Sequence, residues 1–175
     1  MFPSPEKNST IYTDLIEGLN ECGHEIIVVA SDDKSNVNKT KINIEKNITV
    51  LRVKAGKMYD VSLIEKGVSI LTLRHYLINA IKKFLKHEKF DFILFESPPV
   101  TMSNVVDWAM KYFKCPSYLM LKDIFPQNAV DIGIIKKGSI LYRYFRNKEK
   151  KLYRIASIIG CMSEANKDYI LKHNP

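Results

Sequence analysis

No stretch of this sequence approaches the roughly 18 uninterrupted apolar residues of a membrane-spanning helix. The N-terminus has no basic region running into an apolar one, so no secretory leader is readable. Cysteine is scarce: Cys22, Cys115 and Cys161 are odd in number, far apart and without C-x-x-C spacing. They read as buried thiols of a reducing cytoplasm, and a zinc site or a disulfide frame is not expected. His24, His75, His87 and His173 are equally scattered, with no metal-ligand spacing. No metal and no resident cofactor are therefore expected. Internal repeats and low-complexity tracts are missing too, and the only polar, linker-like stretch runs from Asp32 to Lys46.

What is present suits one domain. The 175 residues can bury a core, and 46% hydrophobic with 26% charged residues is ordinary for a globular chain. The net charge of +8 becomes informative once located. Between residues 136 and 154 lie Lys136, Lys137, Arg143, Arg146, Lys148, Lys150, Lys151 and Arg154, opposed by Glu149 alone. Eight cations less one anion make +7 of the +8, so the remainder is nearly neutral. A basic face of this kind points to an anionic partner.

Along the chain, apolar runs alternate with helical patterns. Ile11, Leu15, Leu19 and Cys22 share one helical face, with Ser9 placed to cap its start and Gly23 its end. Strands are predicted at 25–31, 48–53, 90–97, 117–121 and 157–163, and helices at about 64–87, 101–113, 139–154 and from Glu164 onward. Strands apolar throughout and separated by helices predict an α/β fold: a Rossmann-like, doubly wound parallel sheet with helices on both faces. Ligands of such folds sit at the carboxyl ends of the strands. Those ends are Ser31, "ESPP" (96–99), "KDIFP" (122–126) and "MSE" (162–164). One part of the pattern is missing, because the opening residues read as a loop entering a helix with no strand before it. The first strand of such a sheet normally lies in the middle. The expectation is that Met1 is not where the sheet naturally begins, and that the sheet has a gap, a substitute strand or an altered order.

In order, "FPSPEKNSTIYTDLIEGLNECGHEIIVVAS", "ESPP", "KDIFPQNAVDIGIIKKGSILYRYFR" and "CMSEANKDYI" resemble the N-terminal domain of the family 4 glycosyltransferases. That bacterial group builds lipopolysaccharide, capsule and related glycans. The resemblance covers essentially the whole chain, 1–175, and implies the acceptor-side half of a retaining GT-B enzyme. The half that binds most of the nucleotide-sugar donor would be a separate C-terminal domain beyond this chain, so the chain alone is expected to be inactive. The resemblance implies transfer, of hexosyl or N-acetylhexosaminyl type, to a saccharide or lipid-linked acceptor. It also implies Lys122 as a cation for the departing diphosphate and Asp123 as an orienting group for the acceptor hydroxyl. Asn8 and Ser9 stand where the family usually has Gly-Gly, and the Ser9 hydroxyl would meet an anion there.

Each candidate also has a plainer reading. Lys122 and Asp123 suit a surface ion pair before a proline turn. Ser97 suits a turn into the next helix, with sugar contact as the functional alternative. Ser163, followed by Glu164, suits a helix N-cap, a role compatible with ligand binding. Lys136, Lys137, Arg143, Arg146, Lys150, Lys151 and Arg154, interleaved with aromatics, suit either a solvated face or contact with anionic lipid. The apolar stripe Leu73, Leu77, Ile81 with Phe84 or Leu85 supports the lipid reading weakly, since core packing explains it equally well. No nucleic-acid module is readable. The expected location is cytoplasmic, with peripheral contact on the inner face of the cell membrane. The competing expectations are a non-catalytic module that binds membrane or polyanion through 136–154, and another GT-B enzyme such as a sugar-nucleotide epimerase.

Overall fold

The protein is described by a computed structural model, which covers residues 10–32, 39–56, 62–97 and 99–174. The chain divides into two compact units, Met1–His87 and Glu88–Pro175. Both are α/β, and the described strands form two three-stranded sheets.

In the first unit, helix α1 (Ile11–Glu21) begins at Thr10. The Thr13 N–H donates to Thr10 Oγ1 at 3.4 Å, and the Thr10 N–H donates to Thr13 Oγ1 at 2.7 Å. This reciprocal box supplies partners for two N–H groups that the helix cannot pair internally. The cap thus falls on Thr10; Ser9 lies outside the described residues. The helix ends as foreseen at Gly23, whose φ of 87° suits a residue without Cβ.

Strand β1 (Ile27–Asp32) pairs in parallel with β3 (Ile48–Lys54), and β2 (Lys41–Glu45) pairs antiparallel with β3, giving the order β1-β3-β2. The strand β2 lies within the stretch that reads as a polar linker. Its alternation explains the misreading: Ile42 and Ile44 remain 40% and 79% exposed between polar neighbours. The hairpin turns on Lys46 and Asn47, both at positive φ, as a two-residue turn matched to strand twist requires. Between its two partners, β3 buries Ile48, Val50, Leu51 and Val53. Helix α2 (Leu63–Phe84) packs on β3 and buries Leu73, Leu77 and Ile81. That stripe is core, which answers the weak membrane reading of it.

The second unit runs β4 (Ile93–Ser97), a 3-10 turn (Val100–Met102), α3 (Ser103–Phe113), β5 (Ser117–Leu121), α4 (Gln127–Asp131), α5 (Ile140–Ile155), β6 (Ile158–Cys161) and α6 (Glu164–His173). Its strands are all parallel, in the order β4-β5-β6. Each connection steps the same way across the sheet, and right-handed crossovers then bring the connecting elements to one face. On that face Phe95, Leu119, Leu121 and Ile159 pack with Val100, Leu152 and Ile170. The alternate positions Leu94 and Ile158 stay 42% and 53% exposed. The Rossmann-like pattern is therefore partial: a complete sheet in the usual order is not formed by the described residues.

A charged pair lies inside the first unit. Arg52 and Glu45, 5% and 8% exposed, meet through two hydrogen bonds, Nη2 to Oε2 at 2.6 Å and Nε to Oε1 at 3.1 Å. The Arg52 bonds hold the Glu45 carboxyl below its ordinary 4.5, against the opposing effect of burial. Because the folded value is depressed, the contribution is present above pH 4.5 and is lost as pH falls through the folded value. Glu45→Gln should cost about 3–5 kcal/mol at neutral pH, since it removes the carboxylate charge that a buried guanidinium meets. Urea melts across pH should show that difference shrinking in acid; a difference independent of pH would contradict the assignment.

Candidate functional site

The apolar run of β5 stops where it reaches solvent. Leu119 and Leu121 are buried against the helices, and the next residue is Lys122. Its N–H donates to the Ser97 carbonyl at 3.2 Å, extending the β4–β5 ladder by one step. Since Glu96 lies opposite Met120 and Ser97 opposite Leu121, the two-residue pleat puts Glu96 and Lys122 on the same face. That face is the one opposite the helix-covered core. There Lys122 Nζ meets Glu96 Oε2 at 3.3 Å. Partial burial pushes the Lys122 ammonium down and the Glu96 carboxyl up. Both shifts run against charge, and loss of water on burial is the leading cause of each.

Asp123 is exposed and acts on the Lys122 ammonium through its charge, while the close ion pair of Lys122 is with Glu96. The Asp123 carbonyl accepts from the Phe125 N–H at 3.2 Å as the chain bends away. The Phe125 ring then meets Phe145 of α5 edge-on, with centroids 4.9 Å apart. This anchor explains the abrupt Phe-Pro after a core strand: it ties the strand tip to the helix beneath.

Two hydroxyls are buried behind the strand tips, away from the face that carries Lys122 and Glu96. Ser97, 1% exposed at the end of β4, and Ser103, fully buried at the start of α3, have no hydrogen-bond partner for Oγ among the described residues. At the neighbouring tip, Ser163 caps α6 by accepting from the Asn166 N–H at 3.2 Å. Glu164 is exposed and paired to Lys167 at 2.9 Å. A shallow depression of about 490 Å³ opens here, lined by Cys161, Met162, Ser163, Glu164 and Lys167. Parallel pairing thus gathers Ser97, Lys122, Asp123, Ser163 and Glu164 along one edge of one sheet. Ser31, a fourth expected tip, belongs to the other sheet. Asn8 lies, with Ser9, outside the described residues. Glu96 is the residue that sequence reasoning passed over, although its place in "ESPP", one position before the strand end, was available as a signal. A cation and a carboxylate beside hydroxyls on adjacent tips can meet a ligand rich in hydroxyls or carrying phosphate. Among the described residues, no group of three or more His, Cys, Asp or Glu is arranged to hold a metal.

The basic segment is less uniform than its composition suggests. Lys136, Lys137, Arg143, Lys150 and Arg154 are exposed. Arg146 turns inward, with Nη1 at 2.7 Å from Glu149 Oε2 and Nη2 donating to the His173 carbonyl at 2.8 Å. Glu149 is 2% exposed and also accepts from the Tyr153 hydroxyl at 2.9 Å. Lys151 is half-committed, donating to Asn104 Oδ1 at 2.7 Å and lying 3.6 Å from Asp107. Arg146 is therefore withdrawn from any outward patch: its guanidinium satisfies a buried carboxylate. No described helix is long and apolar enough to cross a membrane.

Comparison with protein-family models and with curated proteins finds no match to this sequence.

Burial pushes the Glu149 carboxyl above its ordinary 4.5, despite Arg146 and Tyr153. A raised folded value favours the protonated form, so its contribution is present below pH 4.5 and lost as pH rises through the folded value. Arg146→Ala should therefore destabilise the second unit by about 3–5 kcal/mol at neutral pH, and by less in acid. Arg143→Ala, at an exposed site, should stay within about 0.5 kcal/mol. Thermal melts of both variants at neutral and acid pH check this; equal losses would place Arg146 on the surface.

Proposed function

We propose that this chain is the acceptor-side half of a retaining glycosyltransferase. The reaction moves a hexosyl or N-acetylhexosaminyl group from a nucleotide-sugar to a saccharide or lipid-linked acceptor in surface polysaccharide synthesis. The observation that carries the reading is Lys122, a partly buried cation at the end of the central parallel strand, held beside Glu96. The motif resemblance points to the same position.

In a retaining transfer the departing diphosphate gathers negative charge, and a preplaced cation stabilises it without reorganising at the moment of reaction. Lys122 takes that part. Glu96 orients the ammonium, and Asp123, exposed beyond the sheet edge, orients the acceptor hydroxyl. Ser163 and Glu164 belong to the surrounding acceptor wall, and Ser97, buried at the end of β4, supports it from behind. The nucleotide-sugar is a substrate, not a cofactor, and most of its contacts come from a separate donor domain. The enzyme works in the cytoplasm, peripherally on the inner face of the cell membrane, where a lipid-linked acceptor would lie. The second reading, a non-catalytic module binding membrane or polyanion, draws on the exposed cations Lys136, Lys137, Arg143, Lys150 and Arg154. A sugar-nucleotide epimerase fits "KDIFP…KKGS" less well.

Calorimetry of this chain with UDP- and GDP-sugars should show nothing tighter than about millimolar, roughly −4 kcal/mol. In an enzyme carrying both halves, Lys122→Ala and Asp123→Ala should each lower turnover about 100-fold, roughly 2.7 kcal/mol, with folding little changed. Micromolar donor binding by the chain alone, or near-normal turnover in both variants, would overturn the proposal.

A further inference from the structure

Between α4 and α5 the chain exposes more branched aliphatic surface than a solvated corner requires. Ile132, Ile134, Ile140 and Leu141 are 71%, 73%, 89% and 52% exposed. Scattered apolar residues on a surface are ordinary, but four within ten residues make a patch. Backbone bonds hold the patch in shape. The N–H groups of Ile134 and Ile135 both donate to the Ala129 carbonyl, at 2.9 and 3.0 Å, and the Ser139 N–H donates to the Lys136 carbonyl at 3.1 Å. Ile135, 6% exposed, pins the segment from within. Gly133 and Gly138, at φ of 76° and 79°, make the two bends. Ser139 then caps α5 through the Tyr142 N–H. The isoleucines on either side of these bends are thus presented outward by a hydrogen-bonded connection.

Cations share the same corner. Lys136 and Lys137 lie between the two apolar pairs, and Arg143 follows within one turn of α5; all three are exposed. Tyr144, 42% exposed and one turn beyond Ile140, carries the Lys148 ammonium 5.5 Å from its ring centre. Among the described residues near the corner in sequence, the opposing acids are two. Asp131 accepts from Gln127 Nε2 at 2.7 Å, and Glu149 is buried with Arg146.

We propose that this corner docks on an anionic bilayer, with Ile132, Ile134, Ile140 and Leu141 entering the acyl boundary and Lys136, Lys137 and Arg143 lying among acidic headgroups. One interface supplies both needs: hydrocarbon for the aliphatic tips and negative charge for the cations beside them. A dissolved polyanion would use the charges and leave the isoleucines in water. The inference deepens the peripheral-membrane element of the proposed function but does not need sugar transfer. It also moves the contact from the length of α5, where Arg146 is committed inward, to the turn before it.

The test is co-sedimentation of the whole chain with vesicles of phosphatidylcholine, alone or mixed with phosphatidylglycerol, at low and high salt. Binding should require the anionic lipid and weaken, without vanishing, as salt screens the charges. Ile134→Ser with Ile140→Ser should lower affinity about tenfold or more, as expected from losing two inserted side chains. Lys136→Glu with Lys137→Glu should abolish the anionic preference. Both double variants should keep the wild-type circular dichroism and melting temperature. Ile140→Trp should be quenched by brominated lipid far more than the native Trp108. Absence of vesicle binding by the wild type at low salt overturns the proposal. So does undiminished binding by the serine variant, which would leave a polyanion face only. Both results can arise with sugar transfer intact, and loss of transfer by Lys122→Ala leaves this proposal standing.

Discussion

Parallel pairing of β4, β5 and β6 constrains nearly everything else in the second unit. Parallel strands must be joined by crossovers, and crossovers of one hand across three consecutive strands bring the connecting elements to a single face. The core then forms from alternate residues, with Leu119 and Leu121 at its centre. The intervening residues are left for other uses: Glu96 and Lys122 meet on that second face, close to the strand ends. The same pairing aligns the carboxyl ends of all three strands, so residues more than sixty positions apart in sequence share one edge. The candidate site is a consequence of topology before it is a matter of residue type.

The buried carboxylates behave differently because their partners differ. Glu45 receives two bonds from one guanidinium and a third from Asn43, and its charge is favoured. Glu149 shares Arg146 with the His173 carbonyl, and burial prevails. Glu96 has its ammonium at 3.3 Å and also titrates high. The first joins β2 to β3, and the second lies within α5, whose Arg146 also reaches the His173 carbonyl of α6. The third stands at a strand tip, where burial works against the charge of both the ammonium and the carboxylate.

Much of this was legible in sequence where apolar runs are long. "SYLML" is a strand over the residues expected, and the helices after "ESPP" and from Ser139 begin within a residue or two of their signals. Ser163 caps as its type suggests. The strand β2 was hidden because its edge position leaves isoleucines exposed among polar residues, which is how a linker also reads. The role of Arg146 was hidden for another reason: charge counting does not reveal which way a side chain points, and only packing pairs it with Glu149. Glu96 was missed because its significance comes from the β4–β5 register, which no local pattern encodes.

The central claim is that the edge formed by β4, β5 and β6 receives a glycan acceptor. Amide chemical-shift mapping of the isotope-labelled chain, titrated with a short-chain prenyl-diphosphate-linked N-acetylhexosamine, tests it most directly. The account predicts saturable shifts grouped at Glu96, Ser97, Lys122, Asp123 and Ser163, weakened by Lys122→Ala. Shifts confined to the β1–β3 sheet or to the exposed face of α5, or none at all, would contradict it.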